Sequence, residues 1–206
     1  MTGYETVQRY SEQTEIKRSL FIAEIYHVTS EEELFIALSE LRKKYSDATH
    51  VCYGSVFDKT GNGARFSDDG EPGGTAGAPI LEAIKQSGIK EVLVAVVRYF
   101  GGVKLGAGGL VRAYSSSCSS ALKNAPKVYR LLCDVYSLTI DFSKAKRVIP
   151  SFPKAEISVL DTVYTDCVTL TIAVESGREI EGKVAEMLAE KPKLTKLYTD
   201  YIDVKP

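Results

Sequence analysis

The sequence predicts an α+β fold in two domains, residues 1–130 and 131–206. Three observations predict it. The chain is 206 residues long, enough for one large or two small domains at ~150 residues each. One buried-strand pattern, Val92-Leu93-Val94-Ala95-Val96-Val97, lies between two glycine-rich loops, each of which leads into a helix. Past Pro126 the rhythm of strands and helices changes.

Residues 15–28 (EIKRSLFIAEIYHV) are rich in β-branched and aromatic types and predict one strand, with Lys17 and Arg18 on it. Ser30 and Glu33 then fit a capping box. Leu34, Ala37, Leu38, Leu41 and Tyr45 follow at helical spacing, so a helix is predicted over 31–45. A strand is expected over 48–57, a turn over 58–63 and a hairpin strand over 64–67. A helix starts between Thr75 and Pro79 and ends at Gly88. The central strand covers 91–100, and a long helix follows Gly109 until Asn124-Ala125-Pro126 stops it.

In the second domain a strand is expected over 131–141, then a short helix capped by Ser143 and ended by Pro150. Strands 155–164 and 167–175 turn at Thr165-Asp166, Ser176 and Glu179 cap a helix over 176–190, and a last strand covers 194–204. The order βαββαβ is the split βαβ of ferredoxin-like domains.

Lys plus Arg is 26 and Asp plus Glu is 27, for a net charge of −1. That excludes a protein that holds nucleic acid by bulk charge, though not a local basic face. The polar start Met1-Thr2-Gly3-Tyr4-Glu5 is not a signal peptide, and no apolar run approaches the ~20 residues of a membrane span. The four cysteines have no C-x-x-C spacing and sit among apolar or small residues, which predicts buried thiols in a reduced, cytoplasmic compartment. With only two histidines, a histidine-rich metal site is not expected.

The first glycine-rich loop, RFSDDGEPGGTAG, places Arg65, Ser67, Asp68, Asp69, Gly70, Glu71, Pro72, Gly74, Thr75 and Gly77 together. Its carboxylates either hold a cation or a partner's basic group, or cap the following helix; spacing favours capping. The second loop, RYFGGVKLGAGGLVRAY, runs from the central strand into a helix N-terminus, with Arg98, Lys104 and Arg112 nearby. It is an anion site or a tight helix–sheet junction, in even balance. It is neither a phosphate loop nor a dinucleotide fingerprint, because no Lys-Ser or Lys-Thr follows and Val111 stands where a third glycine belongs. A less favoured reading pairs His50 with Cys52 on one strand face as base and nucleophile, oriented by Asp68 or Asp69.

These motifs carry a resemblance. KRSLFIAEIYHVTSEEE, ATHVCYG, RFSDDGEPGGTAGAPIL and above all VAVVRYFGGVKLGAGGLVRAYSSS resemble the YigZ/IMPACT family over about residues 15–125. Residues 132–206 look like the small C-terminal domain of its bacterial members. Gly73 stands where serine is expected and Gly54 where alanine is usual, both small for small. No RWD domain of the eukaryotic members is seen.

The resemblance implies a ribosomal protein S5 domain 2-like fold, then a domain similar to the last domain of elongation factor G. It implies no catalytic activity, and eukaryotic relatives are translational regulators under amino-acid starvation. The expectation that follows is a non-enzymatic cytoplasmic regulator bound to the ribosome, structured RNA or a translation-associated protein. Arg98, Lys104 and Arg112 would meet phosphates, Tyr99 would stack, and Gly101, Gly102, Gly106, Gly108 and Gly109 would let the backbone approach. Lys17 and Arg18 are further cations, and the first loop with His50 is a partner or ligand surface. The alternatives are a module for a protein partner alone, and a phosphate- or nucleotide-binding enzyme built on Gly101–Gly109, with Asp68 or Asp69 holding Mg²⁺ or acting as base. No resident cofactor or metal, no membrane and no DNA specificity are expected.

Overall fold

The structure is a computed structural model that describes residues 3–204, so Met1 and Thr2 of the polar start lie outside the described residues. The described residues form a mixed α and β chain with five α-helices. Two compact units divide at Tyr129/Arg130.

In the first unit, β1 (Gly3–Val7), β2 (Tyr10–Ile16) and β3 (Ser19–His27) precede α1 (Glu31–Lys44). Next come β4 (His50–Val56), β5 (Ala64–Ser67), α2 (Gly77–Ser87), β6 (Val92–Tyr99) and α3 (Ala107–Asn124). The sheet order is β2–β3–β6–β4–β5, antiparallel throughout. Because side chains alternate across a strand, β6 serves two cores. Val92, Val94 and Val96 pack with α2 and α3. Leu93, Ala95 and Val97 pack with Leu34, Ala37, Leu38 and Leu41 of α1 on the other face.

The single strand expected over 15–28 is instead a hairpin. Lys17 and Arg18 form its turn at positive φ, 47° and 68°, between the paired residues Ile16 and Ser19. The β2 strand YSEQTEI is polar and mostly exposed, so apolar periodicity could not reveal it. At α1, Ser30 accepts from Glu33 N as expected, but the Glu33 carboxylate takes the N–H and hydroxyl of Thr29.

The second unit begins inside β7 (Lys127–Ile140), which starts four residues before the expected Leu131. There follow α4 (Phe142–Val148), a 3₁₀ turn (Ile149–Ala155), β8 (Ser158–Tyr164), β9 (Val168–Glu175), α5 (Glu181–Leu188) and β10 (Lys193–Val204). The strand order within this unit is β10–β7–β9–β8. Leu138, Leu170, Ile172, Phe152 and Val184 lie at its core.

Two helix-start expectations fail here. Asp141, not Ser143, stands at the α4 N-cap, whereas the helix does stop ahead of Pro150, which lies in the first turn of the following 3₁₀ segment, where no N–H is needed. The 176–190 helix starts only at Glu181. The Ser176 hydroxyl donates to Asp134, and Glu179 accepts from Gly182 N instead. Among the described residues no helix is long and apolar enough to cross a membrane.

Asp134 holds β10 to β7. Its buried carboxylate accepts from Lys196 Nζ at 2.8 Å, Thr199 Oγ1 at 2.6 Å and Ser176 Oγ at 3.1 Å. The Lys196 ammonium foremost, then the hydroxyls, pull its pKa down to about 2. A depressed native pKa adds stability that is present above the unfolded value and lost as pH falls through the native one. Asp134→Asn should therefore lower the melting temperature near neutral pH, with the gap to the parent closing as pH falls through about 2; circular-dichroism melts of both proteins check this.

Gly54 has no room for the alanine that the resemblance leads one to expect. A Cβ there would lie 2.6 Å from Leu81 N and 2.9 Å from Leu81 Cα, so α2 sits directly on β4. Gly73 has no atom within 4 Å of a built Cβ and keeps a negative φ. Gly54→Ala should cost about 1–3 kcal/mol through overpacking. Gly73→Ser should be neutral or stabilise by up to ~1 kcal/mol through the unfolded chain. Urea midpoints at constant m-value distinguish the two.

Candidate functional site

The first loop is closed by its own acids. Asp68 Oδ1 accepts from Ala76 N and Gly77 N at 2.9 and 2.8 Å, and Oδ2 from Gly74 N at 2.9 Å. Burial opposes ionisation of Asp68, but these N–H groups outweigh it and hold the carboxyl below its usual range. This carboxylate caps the approach to α2. Asp69 pairs with Arg42 and accepts from Val51 N at 2.7 Å. Arg65 pairs with Glu31, Ser67 accepts from Asp69 N, and Thr75 donates twice to the Pro72 carbonyl. Gly77 lies against the Ser67 backbone.

Glu71 goes inward and is only 8% exposed. Its Oε1 accepts from Arg98 Nη1 at 2.6 Å and from Tyr114 Oη at 2.8 Å. Strand register explains the partner, since Arg98 on β6 lies opposite Phe21 on β3 and His50 on β4. The Arg98 guanidinium is therefore buried in an ion pair through Nη1 and is not part of the outer surface. His50 Nδ1 lies 2.8 Å from the Asp69 carbonyl, and Nε2 lies 3.9 Å from Glu71.

Cys52 does not act as a nucleophile in this arrangement. Its Sγ lies 3.0 Å from the Asp68 carbonyl and 3.4 Å from Tyr114 Oη, and burial pushes the thiol up to about 12. The carboxylates expected to orient His50 are held by backbone N–H groups and Arg42. The same engagement leaves neither Asp68 nor Asp69 suited to hold Mg²⁺. Among the described residues no group of three or more His, Cys, Asp and Glu side chains gathers as a metal site.

The second loop is fixed by close approach. A Cβ on Gly101 would fall 1.8 Å from the Arg18 carbonyl oxygen, and Gly101 N donates to Ser19 Oγ. The Tyr99 hydroxyl donates to Asp47 at 2.8 Å, which fixes where its ring lies. Gly102 and Gly106 take positive φ, and Gly106 is the N-cap of α3 without a side-chain cap. Gly108 and Gly109 lie in the first turn of α3.

Lys17, Arg18, Lys104 and Arg112 are exposed, and among the described residues none is in an ion pair. Lys17 and Arg112 line one groove of about 990 Å³ between α2 and α3, together with Glu82, Ser115, Ser116 and Ser119. A second cavity of about 390 Å³ lies between the two glycine-rich loops, walled by Arg98, His50, Thr49, Phe100 and Lys104. Leu105 lines both. Sequence reasoning missed Tyr114 and Phe100 as site residues. Tyr114 was readable only as an apolar helix position, although a buried tyrosine hydroxyl seeks a partner.

The family model for the Impact N-terminal domain matches residues 17–122. IMPACT family member YvyE of Bacillus subtilis is 34% identical over 174 residues, 84% of this chain and 80% of the relative. The protein IMPACT homolog of Saccharomyces cerevisiae is 36% identical over 91 residues, 43% of this chain and 35% of the relative. A crystal structure of a hypothetical protein superposes with a TM-score of 0.63 at 28% identity, covering 96% of this chain and 98% of the other.

Removing one partner of a buried ion pair costs about 3–5 kcal/mol because a bare charge remains. Arg98→Met should do so. Arg98→Met combined with Glu71→Gln, which still accepts from Tyr114, should cost less than Arg98→Met alone. Equilibrium urea denaturation of both variants tests the coupling.

Proposed function

The chain belongs to the IMPACT family, and on that footing we propose that it is a non-catalytic cytoplasmic regulator that contacts structured RNA of the translation machinery. The observation that carries this reading is the gathering of Lys17, Arg18, Lys104 and Arg112. They come from distant parts of the sequence, yet Lys17 and Arg112 line one groove, the Arg18 carbonyl abuts Gly101, and Lys104 lies on the same loop. Exposed cations without a protein partner are suited to phosphate oxygens, which position an RNA without reading its bases. Phe100, 48% exposed, stands beside Tyr99 as a further ring available to an unpaired base. Arg98 leaves the set of contacts because Glu71 occupies it.

The domain assignment belongs to the same proposal. The first unit is read as S5 domain 2-like. The second is read as ferredoxin-like, similar to the last domain of elongation factor G, a reading its strand order β10–β7–β9–β8 supports. A link to starvation follows from the resemblance to the eukaryotic regulators. A protein partner is a second reading, favoured by Phe35 and Ile36 on α1 and Phe66 on β5, each more than half exposed.

The test is sedimentation of a lysate through sucrose at low and high salt. Co-migration with a ribosomal subunit, lost at high salt and lost in Lys17→Glu/Arg112→Glu, is the expected result. For purified RNA, each phosphate contact removed should lower the salt slope by about 1. A protein that stays at the top of the gradient at both salts overturns the ribosome reading. A partner that co-purifies after nuclease treatment moves the weight to the α1 face.

A further inference from the structure

A guanidinium carries five N–H donors, and burial makes each unmade hydrogen bond costly. Arg98 is 6% exposed, yet among the described residues only Nη1 has an acceptor, Glu71. Its Nε is buried and has none. The Phe21 and Phe100 rings flank the guanidinium, with centroids 5.6 and 5.4 Å from Cζ. Arg98 is also a wall of the cavity of about 390 Å³ between the two loops, a volume suited to a small molecule.

A second, independent feature faces the same cavity. Gly106 and Ala107, where α3 begins, line it. The helix runs for 18 residues, and no side chain accepts from its first N–H groups. Such an end attracts negative charge. Asp68 supplies an oxyanion to the equivalent N–H groups of α2.

We propose that this cavity is a binding site for a small organic anion, a carboxylate or phosphate monoester on an apolar body. Arg98 Nη2, the Lys104 ammonium and the first N–H groups of α3 receive the oxyanion. Phe100, Leu105 and Leu110 cover the body. Arg98 and Lys104 against Glu71 leave one net positive charge on the walls, which balances a carboxylate and part of the larger charge of a phosphate monoester. His50 Nδ1 is engaged by the Asp69 carbonyl, which leaves Nε2 on the cavity wall to meet a polar group of the ligand. The proposal does not rest on RNA binding: Lys104 and Phe100 serve both readings, whereas Lys17 and Arg112 line only the RNA groove.

The test is a two-dimensional NMR titration of the full chain, free of RNA, with benzoate, phenyl phosphate, inorganic phosphate and benzyl alcohol. Saturable shifts of the amides from Gly106 to Leu110 and of the His50 ring, with benzoate or phenyl phosphate below about 10 mM, are expected for ligands of this size. Benzoate alone identifies a carboxylate site, phenyl phosphate alone a phosphate monoester site, and both a general oxyanion site. Lys104→Ala and Phe100→Ala, both at exposed positions, should each weaken binding about threefold to fivefold without altering the fold. The proposal is overturned by no saturable shift with either organic anion or by equal shifts with benzyl alcohol. Inorganic phosphate binding as tightly as phenyl phosphate also overturns it.

Discussion

The first unit depends on one buried ion pair. Glu71 enters from the glycine-rich loop, Arg98 from the central strand, and Tyr114 from α3, and all three meet at one carboxylate oxygen. Such a pair offsets its desolvation only when hydrogen bonds and geometry are good. Two donors on Oε1 meet part of that need, and the Arg98 side chain lies between two aromatic rings. The pair does more than hold charge. It fixes where the first loop crosses the sheet, and so where α2 begins and where the two loops face each other. Cys52 and Phe21 pack against the same tyrosine, which ties β3 and β4 to the cluster.

The two loops look alike in sequence and are held by different means. In the first, carboxylates satisfy neighbouring N–H groups and Arg42, so three acids in four residues leave no cation site. In the second there are no acids. Close backbone contact at Gly101 holds it in place, and the N–H groups at the start of α3 stay without a side-chain acceptor. The first loop is electrostatically complete, whereas the second is not, and both cavities take a wall from its Leu105.

Most of the fold was legible because its strongest signals are periodic. The central strand, α1, α2 and α3 carry apolar residues at spacings that burial demands. The β2 strand was not legible, since one exposed edge strand of YSEQTEI has little apolar content to repeat. The helix over 176–190 was overextended because Ser176 and Glu179 match a capping box by spacing, yet Ser176 is drawn to Asp134 from another strand. The same limit governs the site. Sequence shows Arg98 and Glu71 as charges of opposite sign 27 residues apart, and only the register of β6 against β3 and β4 brings the guanidinium inside. It also shows Lys17 and Arg18 as strand residues, because their turn lacks the usual glycine or asparagine.

That last mismatch bears on function. A two-residue hairpin turn with positive φ at both positions favours Asn-Gly or Asp-Gly, which bear the left-handed backbone at little cost. This chain places Lys17 and Arg18 there, at φ 47° and 68°. Non-glycine residues in that region are sterically disfavoured and persist where the surroundings over-determine them. Here the surroundings are the β2–β3 register on one side and Gly101, packed on the Arg18 carbonyl, on the other. A turn built for stability alone would carry neither side chain. Two exposed cations retained at a strained turn, beside a loop whose own Lys104 is also without an ion pair, fit a surface arranged for negative charge. The Gly101 contact links that turn to the glycine-rich loop whose Leu105 lines both cavities.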